Sequence, residues 1–185
     1  MDAALFSAIN GGQSLALDDL MLFASAVGKA GFVWLTVATI AAVFPGRRMA
    51  AWRVALAVGM AYFAADVLVK PIVGRPRPYE VLAEARLIDQ RPVNSSFPSG
   101  HSAAAAAGAL AASRLFPAAR LVWWPLALAI AVSRVYVGAH WPSDVLGGML
   151  IGVAAAWFSL GGRTVRRSGE RAVDSPTPQS PRSAA

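Results

Sequence analysis

A succession of apolar stretches, each about the length of a membrane crossing and parted by short polar turns, constrains this chain more than any other feature. In hydrocarbon a segment of roughly 20 apolar residues can satisfy its own backbone only as a helix. The runs expected to cross are about Leu20 to Phe44, Ala50 to Val69, the Ala-rich stretch from His101 to Phe116, Leu121 to Val132 or a little beyond, and Val145 to Leu160. The expected fold class is therefore all-α, a polytopic membrane helix bundle of about five transmembrane helices. Residues 1–19 precede it as a short interfacial helix and the start of the next, with no chemistry assigned to them. Residues 1–162 are expected to form one membrane-embedded domain. Residues 163–185, basic and then rich in Pro and Ser without an apolar period, read as a disordered tail.

Composition agrees with that class. Charged residues make up 15% of the chain against roughly 25% in soluble domains, and 56% of it is hydrophobic. The net charge of +7 comes from basic residues that punctuate the apolar runs instead of forming one hydrophilic face. Membrane topology and anionic headgroups account for it better than nucleic acid does. There are no cysteines, which excludes disulfide and thiolate chemistry. With Asp2 and no basic segment at the N-terminus, a cleaved signal peptide is not expected.

Three polar segments stand out between the spans. The first, Lys70 to Pro78, contains Pro71, Pro76 and Pro78, which predict extended backbone, with Asp66 one helical turn before Lys70 and positioned to pair with it. The second, Ser95 to Ser102, places Ser99 and Gly100 at a helix start, where outward N–H groups and a hydroxyl make an anion site that glycine lets an oxyanion approach. The third, Ser133 to Asp144, offers Arg134 as a fork for phosphate oxygens and His140 as nucleophile or proton carrier. If a helix begins near Pro142, Asp144 lies at i,i+4 from His140 and orients its ring. Lys29, the one charge of the first span, is expected to snorkel or to face protein, and Gly148 and Gly152 predict a close helix contact.

Counting crossings gathers all three segments at one membrane face. The other receives Arg47, Arg48, Arg53, Arg114, Arg120 and the arginines of the tail, and is cytoplasmic by the positive-inside rule. The expected location is the cell (inner) membrane, with the site extracytoplasmic and the C-terminal tail cytoplasmic. Three cations (Lys70, Arg77, Arg134), the donors at Ser99 and Gly100, and two histidines are what phosphoryl transfer needs, since its transition state spreads negative charge over three oxygens. His140 would attack phosphorus; His101 would protonate the departing oxygen and then activate water. In a competing reading His101, His140 and Asp144 ligate a metal, which the neighbouring cations oppose. Arg75, Arg86 and Arg91 are either receptors for a second phosphate or solvated charges.

Lys70 with Arg77-Pro78, Pro98-Ser99-Gly100-His101, and Ser133-Arg134 with His140 and Asp144 together resemble the three-part signature of the type 2 phosphatidic acid phosphatase superfamily, the lipid phosphate phosphatases. The resemblance covers roughly Asp18 to Leu160. It implies a vanadate-haloperoxidase-like helical core. It also implies phosphate binding by Lys70, Arg77, Ser99, Gly100 and Arg134, with His140 as nucleophile, Asp144 as its orienter, His101 as general acid, and neither metal nor cofactor. Within the superfamily the chain looks most like the small bacterial undecaprenyl-diphosphate phosphatases. The expected function is metal-independent hydrolysis of a terminal phosphate on a membrane lipid, foremost a polyprenyl diphosphate, through a phosphohistidine. Phosphatidylglycerol phosphate, phosphatidic acid and lipid A phosphate are the alternative substrates. A vanadate-dependent haloperoxidase and a catalytically silent lipid-binding protein are the alternatives of other classes. The expected partners are the bilayer and its lipid phosphate, and oligomeric state is left open.

Overall fold

The structure, a computed structural model, describes residues 1–12 and 14–161, so the tail expectation for 163–185 lies outside the described residues. Every regular element among them is helical. Helix α1, Asp2–Asn10, packs through Phe6 on Trp141, with ring centroids 5.4 Å apart. Helices α2, Leu15–Gly28, and α3, Phe32–Val43, make one interrupted crossing where an unbroken span from about Leu20 was expected. The interruption has left-handed backbone at Ala30 (φ 49°) and Gly31 (φ 74°). It redirects the chain so that α2 packs on α8 and α3 on α4. Glycine makes both contacts close, for a β-carbon on Gly28 would lie 2.3 Å from Ile130 and one on Gly31 2.4 Å from Val58.

Helix α4, Arg48–Tyr62, widens into a π-helical stretch, Phe63–Val69, and closes in a single α-turn, α5, Lys70–Val73, before Gly74 (φ 60°). Pro71 therefore sits in a helical turn and not in extended chain. Pro78 likewise opens the short α6, Pro78–Val81, whereas Arg77 just before it is extended (φ −82°, ψ 158°) as expected of a residue preceding proline.

Helix α7, Gly100–Leu115, is the axis of the bundle, with α4, α8 and α9 packed around it. Helix α8, Arg120–Tyr136, runs a little beyond Val132, as expected, and carries Ser133 and Arg134 in its last turn; α9, Pro142–Ser159, begins where the sequence placed it. Alanine and glycine let backbones touch. β-Carbons on Gly148 and Gly152 would lie 2.3 and 2.1 Å from the Ser99 and Ala103 carbonyl oxygens, and one on Gly108 would lie 2.1 Å from the Trp34 ring.

Four segments are long and apolar enough to span a bilayer: Leu15–Val43, Arg48–Val81, Pro117–Tyr136 and Pro142–Ser159. α7 is the fifth crossing. Its 16 residues extend about 24 Å, and because protein surrounds it, small side chains serve it better than apolar bulk. Phe23, Phe32, Trp52, Leu150 and Phe158 point outward, as a lipid-facing belt requires. α1, residues 74–99 and the turn 137–141 meet at one end of the bundle, tied by Asp2 to Ser143, Asn10 to Arg86 and Asp18 to Tyr136.

Candidate active site

Asp144, in the first turn of α9, is fully buried and its carboxylate accepts three hydrogen bonds at once. Its Oδ2 takes the Trp141 N–H at 2.8 Å and the Ser96 hydroxyl, and its Oδ1 takes Arg75 Nη1 at 2.6 Å. His140 Nδ1 faces the same Oδ2 at 3.6 Å, longer than a hydrogen bond, and has no partner among the described residues. The His140 N–H donates to the Arg134 carbonyl (3.0 Å), which ties the histidine to the end of α8. Burial pushes the His140 pKa down to about 3; Asp144 opposes this, and Arg134 and Arg77 add to it. The imidazole is therefore neutral at neutral pH, as a nucleophile must be.

Arg77 is also fully buried and spends most of its fork on backbone. Nε and Nη2 donate to the main-chain and side-chain oxygens of Asn94 (2.8 and 2.7 Å), Nη2 again to Ser95 O (3.2 Å), and Nη1 to Ala139 O (2.6 Å). Of five guanidinium donors, one on Nη1 remains, beside the residue preceding His140. Arg134 donates through Nη1 to the Ser25 hydroxyl and to Asp89 Oδ2 (2.8 Å), while its Nε has no partner among the described residues. Burial alone would raise the Asp89 pKa. The bonds from Arg134, the Gln90 N–H and Ser25 outweigh it and hold the carboxyl below the usual range.

Lys70 ends the π-helical stretch, buried, in an ion pair with Asp66 Oδ1. Asp66 Oδ2 lies against Gly100, where a β-carbon would be 1.7 Å away. Glycine is thus needed at position 100 to admit a carboxylate of the chain itself, a reason the sequence did not disclose. Ser99 caps α7, accepting from the Ser102 N–H (3.3 Å) and hydroxyl (2.9 Å), and its own N–H donates to Asp144 O (3.0 Å). His101 and Arg134 face a cavity of about 360 Å³ whose wall includes Ser25, Lys29, Asp89 and Arg91. The charged groups that act on His101 are Arg134, Asp89 and Lys70.

All eight expected site residues thus lie at one end of the bundle; networks centred on Asp144, Asp66 and Arg134 hold several of them, while Arg77 is held by Asn94, Ser95 and Ala139 and His101 lines the cavity. Among the described residues no three His, Asp or Glu side chains gather into a metal-ligand set. Sequence reasoning missed Asn94, Ser96, Asp89 and Ser25 as partners, and the whole of α1. Asp2 accepts from Arg75 (2.7 Å) and the Ser143 N–H (3.0 Å), and Asn10 bonds both Arg86 main-chain groups (2.8 Å each) and Tyr136 O (2.7 Å). Only Ser96 had a local signal, its place beside Pro-Ser-Gly-His. Arg75 and Arg86 are held by carboxylates, Arg86 by Asp18 at 2.6 and 2.9 Å, so of the three arginines weighed for a second phosphate Arg91 alone faces the cavity.

Residues 50–167, which include all three polar segments, match the PAP2 superfamily. The chain belongs to the PAP2 superfamily. It is 32% identical over 161 residues to an undecaprenyl-diphosphatase of Sulfolobus acidocaldarius, covering 84% of this chain and 74% of that one. It is 36% identical over 159 residues to a decaprenylphosphoryl-5-phosphoribose phosphatase of Mycobacterium tuberculosis, covering 81% and 86%. The crystal structure of Aquifex aeolicus LpxE superposes with a TM-score of 0.74 at 27% identity over 86% of this chain and 94% of that one. This PAP2 protein is an integral membrane enzyme that hydrolyses lipid phosphates.

Proposed function

We propose that the enzyme removes the terminal phosphate of a polyprenyl diphosphate at the extracytoplasmic surface, through a phosphohistidine. The observation that carries this reading is a neutral histidine, His140, buried beside the Asp144 carboxylate and within the field of the Arg77 and Arg134 guanidinium groups. Lys70, Arg77, Arg134, the Ser99 hydroxyl and the Gly100 N–H hold the phosphoryl oxygens. The His140 nitrogen Nε2 bonds to phosphorus as the bridging P–O bond breaks, and His101 gives its proton to the departing oxygen. Water then attacks the phosphohistidine, delivers its proton to His101 and releases inorganic phosphate. Asp144 orients His140 and stabilises the positive charge on its ring. The polyprenyl lipids in the names of both relatives support the substrate class. The excess of arginines on the opposite face supports the orientation.

The test is phosphate release by the purified enzyme from undecaprenyl diphosphate and from phosphatidylglycerol phosphate, each with EDTA present. Release from the diphosphate that survives EDTA and falls at least about a thousandfold in His140→Ala is expected. Turnover of the glycerolipid alone would move the substrate to phospholipid synthesis, and substantial activity left in His140→Ala would sink the phosphohistidine.

A further inference from the structure

Lys29 is the one basic residue inside the Leu15–Val43 crossing, a costly place for a charge unless it faces a polar cavity. The left-handed break at Ala30 and Gly31 puts it on the wall of the cavity that holds His101 and Arg134. Arg91 lines the same cavity, its guanidinium carbon 5.0 Å from the centre of the Tyr79 ring. Both side chains are exposed, and neither has an ion-pair or hydrogen-bond partner among the described residues. The cations already assigned to the transferred phosphoryl group are each anchored by the chain, Lys70 by Asp66, Arg134 by Asp89 and Arg77 by the oxygens of Asn94, Ser95 and Ala139, while Arg75 is paired with Asp144 and Asp2. Lys29 and Arg91 thus add two cations, free of carboxylate partners among the described residues, to the cavity that the expected general acid faces, beyond the three already assigned to one phosphoryl group.

We propose that Lys29 and Arg91 form a second anion subsite, which holds the phosphate that stays on the leaving group. The inference rests on the diphosphatase reading above. When the bridging P–O bond of a lipid diphosphate breaks, the bridging oxygen departs on a phosphate monoester, whose negative charge grows as the bond lengthens. Cations on the wall of the cavity that His101 faces stabilise that growing charge more than the ground state. A lipid monophosphate leaves as a neutral alcohol and gains nothing there. Lys29 and Arg91 would then set the preference for substrates whose leaving group is itself a phosphate.

Farnesyl diphosphate and farnesyl monophosphate differ only in the second phosphate, and turnover of both by purified wild type, Lys29→Ala, Arg91→Ala and Lys29→Arg reads the subsite directly. The ratio of kcat/KM for diphosphate over monophosphate is expected to fall about tenfold to a hundredfold in each alanine variant, as for loss of a hydrogen bond to a charged group, and to recover in Lys29→Arg. An unchanged ratio, even with both activities lowered, overturns the proposal. Thermal shift gives a reading free of turnover. Methylenediphosphonate should protect wild type more than inorganic phosphate does, and the alanine variants should lose that difference; equal protection by both anions in wild type also overturns the subsite. If wild type cleaves only the monophosphate, the diphosphatase reading fails instead, and the thermal shifts alone decide whether the subsite exists.

Discussion

A histidine buried as deeply as His140 serves as a nucleophile only while it stays neutral, and its environment makes protonation unfavourable. Its pKa of about 3 in the folded protein lies below the ordinary 6.5. Between those values the unfolded chain binds a proton that the folded site refuses, so stability is complete above about pH 6.5 and declines as pH falls toward 3. Thermal unfolding in detergent should show this decline, and His140→Asn should make it shallower; an unaltered slope would mean that His140 is hydrated. Asp144 belongs to the same scale. It is bonded by Arg75, Ser96 and Trp141 and stands 3.6 Å from His140. Asp144→Asn keeps the shape and removes the charge that stabilises an imidazolium or a phosphohistidine, so kcat is expected to fall about a thousandfold or more with KM little changed. A fall below tenfold in steady-state phosphate release would leave Asp144 a structural cap only.

At the scale of helices, the contact of α7 with α9 aligns the site, because α7 opens on Gly100 and His101 and α9 opens just after His140. Their backbones touch through Gly148 and Gly152. Gly152→Ala puts a β-carbon against the Ala103 carbonyl and forces the helices apart. It is expected to cost about 1–3 kcal/mol and lower Tm by about 5 °C, with activity falling too. Gly59→Ala, where nothing lies within 4 Å of the added carbon, should leave Tm unchanged or raise it. Equal Tm losses in the two variants, read by thermal unfolding in detergent, would deny the close contact its role. The pair of glycines and the start of α9 at Pro142 were legible in the sequence, since four-residue spacing and a proline act locally. The break at Lys29–Gly31 was not. Its left-handed backbone answers to Val58 and Ile130 on other helices, and nothing in the apolar run itself marks it.

For the whole molecule, crossing parity decides which face works. Starting at the face where α1 lies, five crossings place residues 74–99 and 137–141 together at that face and the end of α9 at the other. The chain has no cysteine, so single substitutions report topology without background. Glu84→Cys at the site face and Ala118→Cys before α8 are both exposed positions. A membrane-impermeant maleimide should label Glu84→Cys in intact cells and Ala118→Cys only after permeabilisation. The reverse pattern would turn the site to the cytoplasm. The +7 charge of the chain, weighted toward the face opposite the site, is what the expectation rests on.

By itself the sequence determined the all-helical membrane class, the order and parity of the crossings, and the reactive groups that arrive at one face. These follow from hydropathy and short spacings, which act within a turn or a span. Only the tertiary structure decided what holds each group. Arg75 and Ser96 rather than His140 bond the Asp144 carboxylate, Asp89 and Ser25 hold Arg134, and Asp66 fills the space over Gly100. Only there do Lys29 and Arg91 line one cavity. Bonds such as Arg134 to Ser25, 109 residues apart, or Ser143 to Asp2, 141 apart, depend on how helices cross and where one of them breaks. Those geometries arise from the packing of many side chains at once, and no local stretch of the chain encodes them.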